Sequence, residues 1–393
     1  MSVQVVSVEE IADVKLGRQR SPKNHDGPNM RRYLRAANVG WSGLLLDDVK
    51  AMNFTDAEMA QFRLEPGDIL LNEASGSPRE VGKPAIWQGE IDECAFQNTL
   101  LRVRPQSDVD PRYLLHFFRH EAESGAFVRG ARGTGINHLG RAALAKWKVP
   151  LSPIEEQRRI AAILDHADAL RAKRREALAR LDELTQSIFI DMFGDPVSNP
   201  SGYPVRTLGE IAEFYAGGTL PEGEDFAGQT DGFALLKVSD LNLPGNERVL
   251  RSSQGWSAHP GARSATCPAG SVVIPKRGGA IGTNKKRLTS RPSILDPNLM
   301  AIKPQQSQLG LEFLYAWFER LDLNSLISGS SVPQLNKKDL APLVIPVPPY
   351  ELQLEFAARA NVIGHIRSGH RANLVELDAL FASLQSRAFR GEL

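Results

Sequence analysis

Few stretches of this chain have the residue types and spacing that chemistry requires, and each fails at an identifiable atom. Residues 347–350 read VPPY, one residue short of the Asn/Asp-Pro-Pro-Tyr/Phe arrangement in which a side-chain amide or carboxylate holds a target amine for methyl transfer. Val347 offers neither donor nor acceptor, so that chemistry fails. RGGAIGTNKK is glycine-rich but lacks the GxGxxG spacing of a cofactor loop, and it reads as a tight turn near phosphates. VGKP at 81–84 places Pro84 where a phosphate loop needs Ser or Thr. No Pro-Asp dipeptide opens a metal-nuclease carboxylate set, and the eight histidines show neither HExxH nor Cys/His ligand spacing. The expectation is a chain with no catalytic residues, no metal site and no cofactor of its own.

Binding chemistry is better supplied. Lys and Arg total 47 against 46 Asp and Glu, a net charge of +1, so any basic surface has to be local. Three stretches provide one. Val14–Leu46 holds a single acid, Asp26, while Ser124–Ile154 and Arg248–Leu295 hold none. Clustered cations are what a phosphate-binding face needs. The candidates are Arg18, Arg20, Arg31, Arg32, Arg35, Arg79, Lys83, Arg129 and Arg132, then Lys237, Lys276, Arg277, Lys285, Lys286 and Lys337. Reading base edges requires shorter donors and acceptors beside the cations. Those candidates are Asn38, Ser75, Ser77, Asn98, Thr134, Asn137 and His138, then Ser239, Asn284, Asn298, Ser330, Ser331, Gln334 and Asn336.

The elements that must position these residues occur twice. VEEIADVKLG at 8–17 matches LGEIAEFYAG at 208–217, sharing Glu10/Glu210, Ile11/Ile211, Ala12/Ala212 and Gly17/Gly217. YLRAANV faces LLKVSDL, PGDILLNEASG faces AGSVVIPKRGG with Gly67 over Gly270, and QNTLLRVRP faces PNLMAIKP with Asn98 over Asn298. YLLHFF at 113–118 faces FLYAWF at 313–318, and LSPIEEQ at 151–157 faces VPPYELQ at 347–353. Within each copy, about 150 residues of short β-rich runs with Gly, Pro and Asn punctuation are followed by a proline-free helical stretch. The fold class predicted is α+β: two pseudo-repeated globular α/β units, each followed by a long helix, from Pro153 to about Phe193 and from Pro349 to about Phe389.

Both helices carry heptads. Ile160, Ala167, Leu181 and, three places on, Ile163, Leu170 and Leu184 form an a/d seam in the first; Phe356, Ile363, Leu377 with Ile366 and Leu380 form it in the second. Two such helices can pair, with Arg174 and His370 at equivalent mid-seam positions that can fix register. Ser152, Pro153 and Glu155 predict a capping-box helix start. A helix of about 38 residues is a rod of roughly 55 Å, longer than the ~34 Å of one DNA turn, which suits a spacer.

The remaining composition narrows the setting. A length of 393 residues suits two or three domains, and 42% apolar with 24% charged residues is ordinary for a soluble globular chain. Cys94 and Cys267, far apart in sequence, predict no disulfide framework. No apolar run approaches the ~18 residues needed to span a bilayer, and the acidic N-terminus lacks a basic leader region, so the expected location is cytoplasmic, without membrane partners.

Taken together, YLRAANV, PGDILL, VPLSPIEEQRRIAAILD, the FGDPVSNP linker and the terminal SRAFRGEL resemble the DNA-specificity subunit of type I restriction-modification systems. The resemblance covers essentially the whole chain. It implies a non-catalytic subunit whose two recognition domains, 1–152 and 196–348, each read half of a bipartite site in double-stranded DNA. It also implies helices over 153–195 and 349–393 that pair as an antiparallel coiled coil and dock two methyltransferase subunits, with restriction/translocase subunits joining the complex. S-adenosylmethionine, ATP and Mg would then belong to those partners. Leu354 and Glu355 replace Arg158 and Arg159, which puts the symmetry of docking in question. A coiled-coil scaffold joining two protein-binding domains is the competing expectation; steep salt dependence of DNA binding separates the two.

Overall fold

Strand Ile69–Asn72 reads ILLN and strand Val272–Pro275 reads VVIP, and all eight residues are buried. A strand can be apolar on both faces only if something covers both. In the first copy Ile69 and Leu71 point into a core with Leu101, Val103, Tyr113 and Ile160, whereas Leu70 joins a second core with Leu34, Trp87, Phe96 and Leu100. In the second copy Val272 and Ile274 enter one core with Phe313 and Phe356, and Val273 enters another with Leu236, Leu295 and Leu299.

The computed structural model describes residues 4–75, 77–129, 137–327 and 333–393. It contains four helices of ten residues or more among those described: α1 (Pro111–Glu123), α2 (Ile154–Phe193), α3 (Leu311–Arg320) and α4 (Tyr350–Phe389). The rest is short strands and turns. The first copy builds a four-stranded sheet in the order Ala12–Leu16, Leu100–Pro105, Ile69–Asn72, Pro84–Ile86, all antiparallel. The second builds a five-stranded sheet beginning Ala212–Ala216, Leu299–Pro304, Val272–Pro275. The mixed α+β class holds.

The same hydrogen bonds recur in both copies. Gly17 donates to the Leu100 carbonyl at 3.1 Å and Gly217 to that of Leu299 at 3.0 Å. A Cβ on Gly17 would lie 2.2 Å from the Gln97 oxygen, and one on Gly217 1.7 Å from that of Asp296, so close strand approach demands glycine at both. Pro105 pairs with Ala12, and Pro304 with Ala212. This register corrects the sequence match by one residue: Thr99, not Asn98, is the counterpart of Asn298.

Two compact units result, Met1–Arg175 with Ala372–Leu393, and Glu176–Arg371. Each contains half of α2 and half of α4, so the division falls inside both helices and not at their starts. The physical reason is burial. Ile160, Ala161, Leu164, Phe381 and Ala388 belong to the core of the first unit; Phe189, Phe193, Phe356 and Ala360 belong to that of the second. Within the second unit Asp182 pairs with Arg367 while Phe193 packs 5.5 Å from Phe356, so the helices run antiparallel.

The seam register needs correction. Ile160, Ala167, Phe356 and Ile363 are buried, and Ile163, Leu181 and Leu377 are half-buried. Leu170, Leu184, Ile366 and Leu380, however, are 41%, 46%, 47% and 52% exposed. Next to Ile163, Leu170 and Leu380 the buried residue is one further on, Leu164, Arg171 and Phe381, and Ala360 is buried on the second helix. A helix that must cover a domain core as well as its partner helix rotates its inner stripe, and adjacent apolar residues such as Ile163 and Leu164 leave the heptad pattern undecided.

The expected capping box at Ser152 does not form, since Glu155 pairs with Arg158 at 2.7 Å. Gln157, buried, ties the helix start down instead. Its Oε1 accepts from the Asp110 N–H at 2.9 Å, and its Nε2 donates to the carbonyls of Ser152 (2.8 Å) and Asp108 (3.5 Å). Gln353 repeats the arrangement on the Gly310 N–H (2.7 Å) and the carbonyls of Pro348 (2.8 Å) and Gln308 (3.1 Å). Replacing Gln353 by Leu orphans one buried donor and two carbonyls, a loss of roughly 2–4 kcal/mol. Urea unfolding should show that drop, and Gln353→Glu should not restore stability, because a carboxylate cannot donate.

Candidate nucleic-acid interface

Beyond each central strand the chain makes one further pairing. In the first unit Ala74–Ser75 runs antiparallel to Asn137–His138, with His138 opposite Ala74 and Asn137 opposite Ser75. In the second unit Arg277 bridges Gln334 in the same sense. The bonds around the pairing coincide too. Leu139 donates to the Glu73 carbonyl at 2.8 Å, and Leu335 donates to that of Lys276 at 2.9 Å. Glu73 donates to Thr99 at 3.0 Å, and Lys276 donates to Asn298 at 2.8 Å. Buried Leu139 and Leu335 fix the strap to the core. One backbone frame thus presents Glu73, Ala74 and His138 in one unit and Lys276, Arg277 and Gln334 in the other.

The side chains on the frame are of the kind that reads polar edges. His138 is exposed and lies 3.2 Å from the Glu73 carboxylate. Arg277 and Gln334 are exposed, and Gln334 donates to the Asn336 Oδ1 at 2.9 Å. Asn336 starts a short helix whose Asp339 accepts its backbone N–H at 2.8 Å. Ser75 accepts from the Ser77 N–H at 3.1 Å. Burial, with Arg277 next to it, holds Lys276 below the ordinary lysine range.

Several of the predicted residues already have partners within the chain. Arg18 bonds the Asn53 carbonyl, pairs with Glu58 at 2.6 Å and lies 4.7 Å from the Phe54 ring centroid. Lys83 is buried against Glu80, Arg31 pairs with Glu93 at 3.0 Å, and Arg35 pairs with Asp48 at 2.7 Å. Asn38 is buried and closes its turn through the carbonyls of Leu45 and Asp48. Asn298 caps onto Asp296 at 2.8 Å through its backbone N–H. Arg129 donates to the Ser124 carbonyl at 2.6 Å, and Lys285 donates to Asn242. Lys286 is buried, its Nζ on the Asn284 Oδ1 (2.8 Å) and the Leu321 carbonyl (2.7 Å), and burial pushes it down to about 8. Asn284 holds a left-handed φ of 53° there. These bonds hold loops together, and Arg129 stays exposed while making its own.

The open set is smaller. Arg20, Arg32, Arg79, Ser77, Lys237 and Ser239 are exposed, and Asn98 is half-buried. Lys337 is exposed, with its Nζ 5.6 Å from the Phe214 ring centroid. Arg132, Thr134, Ser330, Ser331 and the Asn137 side chain lie outside the described residues. Sequence reasoning missed Glu73 and Thr99 as members of the frame; the signal was the repeat, which sets Glu73 over Lys276 but is misaligned by one residue at Thr99. Cys94 and Cys267 are buried and free, their thiols pushed up to about 12 by burial. Among the described residues, no helix is long and apolar enough to cross a membrane.

Comparison with known proteins agrees with this architecture. Residues 2–180 match the family model of the type I restriction modification DNA specificity domain. The chain is 22% identical over 343 residues to the type I restriction enzyme MjaVIII specificity subunit of Methanocaldococcus jannaschii, covering 82% of this chain and 78% of that one. It is 30% identical over 166 residues to the StySPI specificity subunit of Salmonella potsdam, covering 41% and 36%. The solved type I restriction-modification S subunit from M. genitalium has the same fold, with a TM-score of 0.57 at 17% identity, over 99% of this chain and 96% of that one.

Two predictions separate buried from exposed cations. Arg277→Ala should weaken binding to the recognised duplex and reduce the slope of log K against log salt by about 0.9, whereas Lys286→Met should leave that slope unchanged. The second concerns pH. With Lys286 at about 8 when folded against 10.5 ordinarily, the unfolded chain binds the extra proton between those values, so stability rises with pH across that window. In parallel unfolding series, Lys286→Met should lack this increment.

Proposed function

Because the chain belongs to the DNA-specificity subunit family of type I restriction-modification systems, we propose that each recognition domain, 1–152 and 196–348, reads one half of a bipartite, asymmetric site in double-stranded DNA. The observation that carries this is the duplicated strap: one set of backbone bonds, with Ala74 and His138 in the first unit and Arg277 and Gln334 in the second. An identical frame bearing different donors and acceptors suits two half-sites of different sequence. Phosphate contacts come from the exposed cations, foremost Arg20, Arg32 and Arg79 in one unit and Lys237, Arg277 and Lys337 in the other.

The helices serve as spacer and platform. Leu170, Val375 and Leu380 in the first unit and Leu184, Leu354, Val362 and Ile366 in the second are exposed apolar residues on α2 and α4. Apolar side chains left on a helix surface suit a protein partner, here the two methyltransferase subunits, with restriction/translocase subunits added to that complex. The helix starts differ: Arg158 and Arg159 are held by Glu155 and Glu156, while Leu354 is bare. The two docked subunits therefore meet unlike surfaces. The chain contributes recognition, and S-adenosylmethionine, ATP and Mg act on the partner subunits, in the cytoplasm.

Methylome sequencing with and without this gene should show loss of methylation at one interrupted, asymmetric motif; unchanged methylation would overturn the reading. Deleting one heptad from each helix removes about 10 Å of helix, or about three base pairs. The unread spacer should shorten by that amount with both half-sites retained.

A further inference from the structure

The repeat makes the two units similar where their helices meet, but the side chains that fill the space beside them differ. In the first unit the buried Phe381 ring lies with its centroid 4.2 Å from the Arg171 guanidinium carbon and 5.4 Å from that of Arg119, and the His116 ring is 6.3 Å away. Arg171 is held by Asp378 at 2.6 Å and Asp168 at 2.7 Å. The second unit keeps the ion pair, with Arg367 and Asp182 in the places of Arg171 and Asp378. The filling changes: Thr185 stands where Phe381 does, Ala316 for His116 and Gly364 for Asp168, while Tyr315 is larger than its counterpart Leu115.

Thr185 and Ala316, two of these smaller residues, line a cleft open to solvent together with Phe189, Tyr315, Phe356 and Arg367. Arg248 forms another wall, paired with Glu312 and 5.1 Å from the Tyr315 ring centroid. With Asp182 on Arg367 and Glu312 on Arg248, the cleft has guanidinium surfaces already neutralised. Such a site favours the face of a neutral ring over an anion.

We infer that this cleft is an anchor pocket for one aromatic side chain of a partner protein, the ring packing on Arg367 as Phe381 packs on Arg171. The occupant is a side chain because the chain's own precedent is one, and because Leu184, Val362 and Ile366 leave exposed apolar surface on the same two half-helices. Interfaces concentrate affinity in aromatic groups that fill such pockets. The partner is the methyltransferase subunit, so the inference rests on the docking reading above. Only the second unit offers the pocket, which makes the two docked subunits energetically unequal.

The test is Thr185→Phe in the full chain, which fills the cleft with the first unit's own residue. Indole, as probe, should shift the Thr185 and Ala316 resonances of the unsubstituted chain saturably, with Kd on the order of 1 mM, and leave those of T185F unmoved. T185F should keep or raise the urea midpoint yet bind one of its two methyltransferase subunits at least about tenfold more weakly. Native mass spectrometry should then show complexes with a single such subunit accumulating. Unaltered assembly of T185F overturns the anchor and leaves the docking reading standing; failure of the unsubstituted chain to assemble overturns both. Should T185F misfold, Ala316→His narrows the cleft from the opposite wall, with the same expected loss and the same contrary result.

Discussion

A single buried amide in each copy determines how a long helix leaves its domain. Gln157 and Gln353 each accept from the N–H of the residue that caps α1 or α3, Asp110 or Gly310, and donate to two carbonyls of the loops around it. Only an amide side chain supplies an acceptor and two donors without charge. Glutamate could not donate, and an apolar residue would strand buried backbone groups at a cost of about 1–3 kcal/mol each. The direction of α2 and α4 relative to their sheets depends on this contact. So does the burial of Ile160, Leu164, Phe356 and Ala360 beside it.

From that constraint follows a division of labour between backbone and side chain. The strap bonds of Leu139 and Leu335, the close approach at Gly17 and Gly217 and the two-faced central strands recur almost bond for bond. Variation is confined to what the frame carries: Glu73 against Lys276, Ala74 against Arg277, His138 against Gln334. The same economy explains the interior. Arg171 and Arg367 keep their aspartates, while the packing around them is filled in one unit and open in the other.

The basic residues show why charge counting is a coarse guide. A run such as Asn284–Lys285–Lys286–Arg287 reads as one patch, yet Lys286 is buried on carbonyl oxygens and Lys285 rests on Asn242. Arg18 is inside an ion pair with Glu58, a residue forty positions away and outside the acid-poor stretch. Acid-free sequence does not mean acid-free surroundings, because the partners of a cation come from other segments of the chain.

Much was legible in the residues alone. The duplication, the two long proline-free helices and the glycines shared by the two copies all follow from residue type and spacing, which local geometry obeys directly. Three things did not. The helix register went to Leu164, Arg171 and Phe381 and not to Ile163, Leu170 and Leu380, because adjacent apolar residues satisfy the heptad equally and only contact with the domain core chooses between them. The match of Asn298 shifted from Asn98 to Thr99, because similar residues one place apart score alike until strand pairing fixes which carbonyl is met. The division of cations into loop struts and open groups, and the roles of Gln157 and Gln353, rest on contacts about forty or more residues distant in several cases. Sequence determines which groups a chain owns; only tertiary structure decides which of them still face water.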